Sequence, residues 1–348
     1  MEVKEKKSKK DMTFKEKVID NINVFLSAYA IAFVIRLFLI EAYQIPSQSM
    51  VPSLLVKDIL MVEKATFGSR IPVLNLKIPG IVKPDRNDIV VFVSPAWKSP
   101  GLDKEIISLL TLSLINLDNT FETPKNLVKR LIGKPGDTLK MSNQILMLND
   151  KTVNMKYIGV SHQVKYEVLV KVGSEDFDLY EETFANKGRV VQHVFELDKK
   201  LPFEYNTMME KLTSDDVVNN FDFYRIYLLK SFPEIRVPKK GEVINLESAN
   251  GYYKYLLKLL IERESGKKVL FNQGKFIIDG KEIKEWKVND NYYFCMGDNR
   301  DYSEDCRYFG FVPEKNIFGR PLFRYWPFTR MGFDVNEKAT SVKTKSFN

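Results

Sequence analysis

The sequence predicts a mainly β protein, an assembly of antiparallel sheets preceded by one N-terminal transmembrane helix. Two observations carry this prediction. An apolar run occupies residues 22–40, and from residue 58 onward the chain consists largely of short β-prone segments separated by glycine and proline. Short strands with such punctuation, and few segments with helical periodicity, are typical of antiparallel sheets.

The apolar run reads INVFLSAYAIAFVIRLFLI, and at about 1.5 Å per residue it just spans a hydrocarbon core of roughly 30 Å. Arg36 lies close to its end, where a long side chain can reach the interface. Residues 1–17 hold seven lysines against three glutamates and one aspartate, so the positive-inside rule places residues 1–20 in the cytoplasm. No small-residue cleavage pattern follows the run, and we therefore expect an uncleaved signal-anchor at 21–42.

The outer portion is predicted to alternate strands and turns, with three helical interruptions. The segments with strand or hairpin character are 58–68, 86–95, 125–141, 143–154, 163–171, 188–196, 274–283 and 309–328. Helical spacing occurs at 104–117, 214–231 and 249–264. We expect the first of these to be a surface helix packed on the core, with contact to the membrane surface as the alternative.

Histidine and cysteine are scarce, with only His162, His193, Cys295 and Cys306 in 348 residues. Their spacing fits no metal site. Both histidines lie in strand-like segments, which favours ordinary strand residues over the base of a Ser-His-Asp triad. The net charge of +8 is accompanied by no nucleic-acid-binding motif, so no nucleic acid partner is predicted.

A serine and a lysine remain as candidates for hydrolytic chemistry. In the segment QIPSQSMVPSLL, residues 44–55, Ser49 could attack a carbonyl while its own amide and Ser47 stabilise the oxyanion. Lys129 lies in the apolar segment NLVKRLIG and could be the general base, because burial lowers the pKa of a lysine. Arg130 would point to the opposite face, towards a carboxylate. From these residues alone, a Ser/Pro linker and an exposed basic edge strand stay open as alternatives.

A third segment, residues 296–313, reads MGDNRDYSEDCRYFGFVP and alternates acidic with basic side chains. This density of opposite charges predicts a salt-bridged loop. A calcium loop is disfavoured by the interleaved arginines and by the missing loop glycine.

Together these segments resemble the bacterial type I signal peptidases, the membrane-bound leader peptidases. The resemblance rests on PSQSMVPSL, KDILMVEKATFG, LVKRLIGKPGDTL, MGDNRDYSEDCRYFGFVP and RPLFRYWPF, which follow the family order behind the anchor. It implies two antiparallel sheet domains: a catalytic core at 43–154 and 286–333, and a second β-rich, noncatalytic domain inserted at 155–285. A polar tail would occupy 334–348.

The resemblance also implies roles for individual residues. Ser49 would be the nucleophile and Lys129 the general base, with Ser47 and the Ser49 amide as oxyanion donors. Ser303 would orient the lysine amine. Supporting ion pairs would come from Arg130, Asp298, Asp305 and Arg307. The shallow apolar substrate pockets would be formed by Tyr43, Ile45, Met50, Leu54, Leu127 and Val128.

The function implied is that of a membrane-bound serine endopeptidase that cleaves signal peptides from exported preproteins with a Ser-Lys dyad, without cofactor or metal. Its partners would be the lipid bilayer and secretory preproteins with small residues at −1 and −3. It would cross the cytoplasmic membrane once, with the catalytic domain outside. The alternative is a catalytically silent membrane-anchored scaffold of the same fold; a self-cleaving repressor is disfavoured by the anchor and by the absence of a DNA-reading segment.

Four positions depart from the family pattern without removing a proposed catalytic atom. Ser53 replaces a commoner threonine, Lys57 a usual glycine, Tyr302 a usual asparagine and Cys306 a usual serine. A disulfide between Cys295 and Cys306 is permitted outside the cytoplasm, but the sequence does not establish the geometry that it requires.

Overall fold

The fold is seen in a computed structural model. It describes residues 13–51, 53–71, 76–111, 126–142, 145–152, 214–219, 221, 228, 231–333 and 335. The predicted strands at 163–171 and 188–196, both histidines and nearly all of the polar tail lie outside these residues. The prediction of a mainly β, antiparallel fold behind one apolar helix is confirmed.

The elements are numbered in chain order over the described residues. The helices are α1 (Phe14–Phe38), α2 (Leu102–Leu110), α3 (Ser214–Asn219), α4 (Gly251–Ser265) and α5 (Cys306–Phe309). The strands are β1 (Ile40–Gln44), β2 (Ile59–Glu63), β3 (Arg70–Ile71), β4 (Leu76–Lys77), β5 (Ile89–Val93), β6 (Asn126–Gly133), β7 (Thr138–Ser142), β8 (Ile145–Leu148), β9 (Lys151–Thr152), β10 (Phe232–Arg236), β11 (Val243–Asn245), β12 (Leu270–Asn272), β13 (Lys275–Ile278), β14 (Lys281–Ile283), β15 (Glu285–Lys287), β16 (Tyr292–Met296), β17 (Val312–Pro313) and β18 (Ile317–Trp326).

A seven-stranded antiparallel sheet carries the candidate site, in the order β1-β2-β18-β5-β6-β16-β17. Strand β5 reads IVVFV and all five of its residues are buried, as a continuous apolar run predicts for a strand covered on both faces. Strand β6 pairs with β5 along residues 126–130 and with β16 along residues 130–133. Strand β6 thus lies between β5 and β16, and Lys129 itself is buried, which excludes an exposed basic edge strand.

A second sheet has the order β10-β7-β8-β9. The predicted hairpin in 143–154 is formed by β8 and β9, with Asn149 and Asp150 both at positive φ (49° and 61°). Asparagine and aspartate tolerate that conformation, which a two-residue hairpin turn requires. The hairpin predicted at 274–283 is formed by β13 and β14.

The described part of the middle region shares its core with the catalytic sheet. Strand β10 pairs with β7, and Leu256 and Leu260 of α4 belong to the same buried cluster as Phe92 and Phe294. Helix α4, predicted at 249–264, begins at the Asn250 cap and ends before Gly266 at φ 68°. The separate inserted domain at 155–285 stays a prediction, since residues 155–213 are outside the described structure.

Within the described residues, α1 is the one helix long and apolar enough to cross a membrane. Its last carbonyls lack helical partners, and the sheet domain supplies them: Lys64 Nζ donates to Arg36 O (2.8 Å) and Ser69 Oγ to Phe38 O (2.6 Å). Glu41 accepts ion pairs from both Arg36 (2.7 Å) and Lys64 (2.7 Å). We call Arg36, Glu41, Lys64 and Ser69 the anchor clamp.

The expectation that the helix at 104–117 packs on the core is wrong for its described part. In α2 only Glu105 is buried, whereas Leu102, Ile106, Ile107 and Leu110 are exposed. The Tyr29 hydroxyl of α1 donates to the carbonyl of Leu110. Helix α2 therefore lies beside the apolar helix, with its own apolar side chains turned away from the core.

Candidate active site

The segment quoted above as a possible linker is a closed loop between β1 and β2. Ile45 N donates to Asp58 O (2.8 Å) and Lys57 N to Ile45 O (2.9 Å), which joins the two ends of the loop. Lys57 has a positive φ of 71°, a conformation that glycine adopts without strain. Glycine, the residue that the resemblance implies at this turn, would fit it without strain. We call residues 45–58 the serine loop.

The structure places Ser49 of the serine loop against Lys129 of β6. The Lys129 Nζ–Ser49 Oγ distance is 2.6 Å, and the two residues are only 3% and 6% exposed. Burial lowers the pKa of Lys129 from 10.5 to about 8, although the Asp305 and Asp298 carboxylates oppose that shift. A lysine with such a pKa is partly neutral near pH 7, as a general base requires.

The oxyanion donors predicted around Ser49 are close to each other. Ser47 Oγ lies 3.3 Å from Ser49 Oγ, and the backbone amide of Ser49 is on the same short segment. A hydroxyl and an amide on either side of a nucleophile can both reach the oxygen of a tetrahedral intermediate.

The predicted pairing of Arg130 is present on the face of β6 opposite Lys129. Arg130 Nε and Nη2 each donate to Asp298 at 2.7 Å in a bidentate pair, and both side chains are buried. The Ser53 hydroxyl also hydrogen-bonds Asp298 and Arg130. The pair therefore connects β6, the serine loop and the segment after β16, and Ser53 supplies the oxygen that a threonine would.

The second predicted pair, Asp305 and Arg307, is fully buried beneath the site. Arg307 donates to Asp305 through Nε (2.9 Å) and Nη2 (3.0 Å), and Gly297 N also donates to Asp305 (3.0 Å). Burial raises the pKa of the Asp305 carboxyl, but Arg307 and the Gly297 amide outweigh it and hold that pKa below its usual value. Tyr252 of α4 donates to Arg307 O (2.9 Å), so the middle region supports this pair.

Ser303 does not make the contact predicted for it. Its Oγ is buried and has no hydrogen-bond partner among the described residues, so it does not hold the Lys129 amine here. It lies next to Gly297 instead, and an added Cβ at Gly297 would stand 2.2 Å from Ser303 Oγ.

Two residues that matter for the site were not singled out from the sequence. An added Cβ at Gly297 would also lie 2.4 Å from Ser49 O. Asn299 N donates to Ser49 O (3.0 Å) and Asn299 Nδ2 to Gln48 O (3.0 Å). Both residues lie in the segment 296–313, and the sequence prediction for that segment rests on its charged residues alone. They fix the backbone of the serine loop at Ser49.

We expect Gly297→Ala to lower kcat/KM about 100-fold, because the new methyl group must displace the Ser49 carbonyl and misplacing a nucleophile by about 1 Å costs that much. Gly319→Ala is the matched control: its Cβ would be crowded to 2.8 Å by the backbone of Glu63 in the sheet. Both variants should lose thermal stability, but only Gly297→Ala should lose activity per folded molecule. Equal activities in the two variants would contradict the role of Gly297.

The residues predicted to bind substrate divide among three apolar clusters. Ile45, Met50 and Leu54 lie in one cluster, with Val128 packed against it. Tyr43 packs against a neighbouring cluster that Val128 also contacts. Leu127 packs against the main core, on the other face of β6. Val128 packs against both of the first two clusters, and Met50 of the first cluster directly follows Ser49 in the chain.

No group of metal-ligating side chains occurs in the described part of the chain. Cys295 and Cys306 are both buried as free thiols, and Cys295 N donates to Cys306 Sγ at 3.0 Å. Cys306 therefore serves as a hydrogen-bond acceptor for β16.

The chain is similar to known peptidases over most of its length. The family model described as signal peptidase, peptidase S26, matches residues 18–201 and 282–326. The Signal peptidase I of Buchnera aphidicola subsp. Baizongia pistaciae (strain Bp) is 29% identical, covering 91% of this chain and 79% of that protein. The Signal peptidase I of Haemophilus influenzae (strain ATCC 51907 / DSM 11121 / KW20 / Rd) is 27% identical, covering 99% of this chain and 81% of that protein. The Signal peptidase I of Aquifex aeolicus (strain VF5) is 28% identical, covering 88% of this chain and 82% of that protein.

The matched residues include the serine loop, β6 and the cluster after β16, which together form the site described above. With well over half of its residues matched, this chain belongs to the signal peptidase family, peptidase S26.

Proposed function

We propose that this protein is a membrane-anchored serine endopeptidase that removes signal peptides from exported preproteins, with Ser49 as nucleophile and Lys129 as general base. The observation that carries the proposal is the 2.6 Å contact between Lys129 Nζ and Ser49 Oγ in a buried site. Relatives named Signal peptidase I, similar over about nine tenths of the chain or more, supply the substrate class.

In the proposed mechanism, neutral Lys129 takes the Ser49 proton as Oγ attacks the carbonyl of the −1 residue. The Ser49 amide and the Ser47 hydroxyl stabilise the oxyanion. The lysine ammonium then protonates the leaving amine, and the peptide bond breaks. A water molecule, deprotonated by the same lysine, hydrolyses the acyl-enzyme and frees Ser49.

The substrate would bind as an extended strand beside β6. Residues 126–129 pair with β5 on one side, and β16 pairs only from residue 130 onward. No described strand covers the other side of residues 126–129, so a peptide can add backbone hydrogen bonds there. A peptide in this position would lie along β6, beside the serine loop.

The preference for small side chains at −1 and −3 would come from the apolar surface beside Ser49. Ile45, Met50, Leu54 and Val128 are buried or partly buried around it, and Tyr43 closes its far side. Tyr43 is held by its hydroxyl, which donates to Glu41 (2.5 Å), a member of the anchor clamp. Bulky side chains would meet these walls.

Helix α1 would cross the cytoplasmic membrane once, with the lysine-rich residues 1–17 inside and the sheet domain outside. The charge asymmetry supports this orientation. The site would then face the membrane surface on which signal peptides emerge.

The test is cleavage of a purified preprotein by the full-length protein in detergent, with Ser49→Ala as control. We expect the wild type to release the mature protein at one site and Ser49→Ala to lose at least about 1,000-fold in rate, since only the nucleophile is removed. A catalytically silent scaffold would give no cleavage with either protein. Cleavage that survives in Ser49→Ala would assign the nucleophile elsewhere.

A further inference from the structure

The apolar surface proposed to receive substrate side chains already contains a side chain of the chain's own C-terminal segment. Val335 is 2% exposed and belongs to the same buried cluster as Ile45, Met50 and Leu54. It lies beyond residue 326, where the match to the family ends.

The chain reaches this position by folding back after β18. Gly332 and Arg324 exchange two backbone hydrogen bonds (2.9 and 3.0 Å). Arg330 Nη1 donates to both carboxylate oxygens of Asp58, at 2.9 and 3.2 Å. Asp58 ends the serine loop and accepts from Leu55 N within it (2.9 Å). The C-terminal segment is thus tied to the same loop that carries the nucleophile.

The occupied surface leaves no room for a second side chain. Met50 and Leu54 are at most 1% exposed with Val335 in place. Valine is also small and apolar, like the side chains that the proposed pockets would admit. A substrate side chain that enters this cluster must replace Val335, because a close-packed interior does not hold an extra group without displacement.

We propose that Val335 is an intramolecular competitor of the substrate, occupying the apolar pocket beside Ser49 until a preprotein displaces it. This inference rests on the proposed function for the identity of the pocket. It adds a self-inhibiting contact that regulates access to the pocket.

Steady-state cleavage by the full-length protein tests the competition. Val335→Asp should lower KM about tenfold with kcat unchanged, since a carboxylate does not stay in an apolar pocket. Met331→Asp places the same charge at an exposed residue of the same segment and should leave KM within about twofold of wild type. A KM for Val335→Asp that is unchanged or raised would overturn the proposal, as would an equal fall in KM for both variants.

A second measurement does not depend on cleavage. Val335→Cys in the Ser49→Ala background is treated with a maleimide, with and without an uncleaved preprotein; the native cysteines are fully buried. We expect the introduced thiol to be protected in the free protein and to react at least tenfold faster when the preprotein is bound. Continued protection with bound preprotein would make Val335 a fixed wall of the pocket. Failure of the proposed function can be distinguished from failure of this inference, because in the first case the wild type would cleave no preprotein at all.

Discussion

Replacing Lys129 with methionine should abolish preprotein cleavage and stabilise the folded protein at neutral pH. The loss should be about 1,000-fold or more, because the base that activates Ser49 and the acid that protonates the leaving amine disappear together. Lys129→Arg should be equally inactive, since a guanidinium keeps its proton. Lys134→Met removes a lysine five residues along the chain, one that pairs with Asp85 at the surface (2.8 Å), and should stay active.

The stability gain follows from the lowered pKa of Lys129. A shift from 10.5 to about 8 means that burying the charged lysine costs the folded state about 3 kcal/mol. This cost is fully present below pH 8 and disappears as the pH rises through 10.5, where the lysine is neutral in both the folded and the unfolded state. Lys129→Met should therefore have a higher free energy of unfolding than the wild type at pH 7. The gain is the cost of the buried charge minus the contribution of the lost hydrogen bond to Ser49. It should disappear near pH 10.5.

The same pKa predicts the pH dependence of the wild type. If neutral Lys129 is the base, kcat/KM should rise about tenfold per pH unit and level off above pH 8. A profile that is flat between pH 6 and 9, or a Lys129→Met variant that retains activity, would assign the base to another group.

Asp305→Ala should destabilise the protein by about 3–5 kcal/mol, because Arg307 is left as a buried guanidinium without its carboxylate. The Gly297 amide also loses its acceptor. The free energy of unfolding of the full-length protein, from denaturant titration in detergent, measures this loss. The double variant Asp305→Leu/Arg307→Met should recover most of it, because an apolar pair leaves no unpaired charge.

In Asp305→Ala, the activity per folded molecule distinguishes a loss of stability from a change in the reactivity of Lys129. Asp305 raises the pKa of Lys129, so its removal should move the rise of kcat/KM to lower pH. A cost below about 1 kcal/mol for Asp305→Ala, or a double variant as unstable as the single one, would show that Asp305 and Arg307 do not act as a buried pair.

The parts of the site that could be predicted are those with local physical signatures. The apolar segment 126–133 allowed a buried Lys129 but left an exposed edge strand open, and the structure decides for burial. That Arg130 faces the other way could be predicted, because side chains alternate along a strand. The charge density of 296–313 likewise predicted a salt-bridged loop. Asp305 and Arg307 pair within it, whereas Asp298 pairs with Arg130 of β6, outside the loop.

The parts that could not be predicted depend on contacts between distant segments. Gly297 matters because the Ser49 carbonyl, 248 positions earlier in the chain, approaches it; nothing beside Gly297 in the sequence reports this. Val335 looks like one apolar residue in a polar tail. Helix α2 has the apolar spacing of a helix packed on a core. It lies beside the apolar helix α1 instead, and most of its apolar side chains are exposed.

The anchor clamp has a consequence for how the cleavage position is chosen. Because Arg36, Glu41 and Lys64 join the end of α1 to β1 and β2 without a linker, the height of Ser49 above the bilayer would be a constant of the molecule once α1 spans the membrane. Several peptide bonds of a signal peptide could have side chains that fit the pocket. The protein would then cleave the one among them that lies at the height of Ser49.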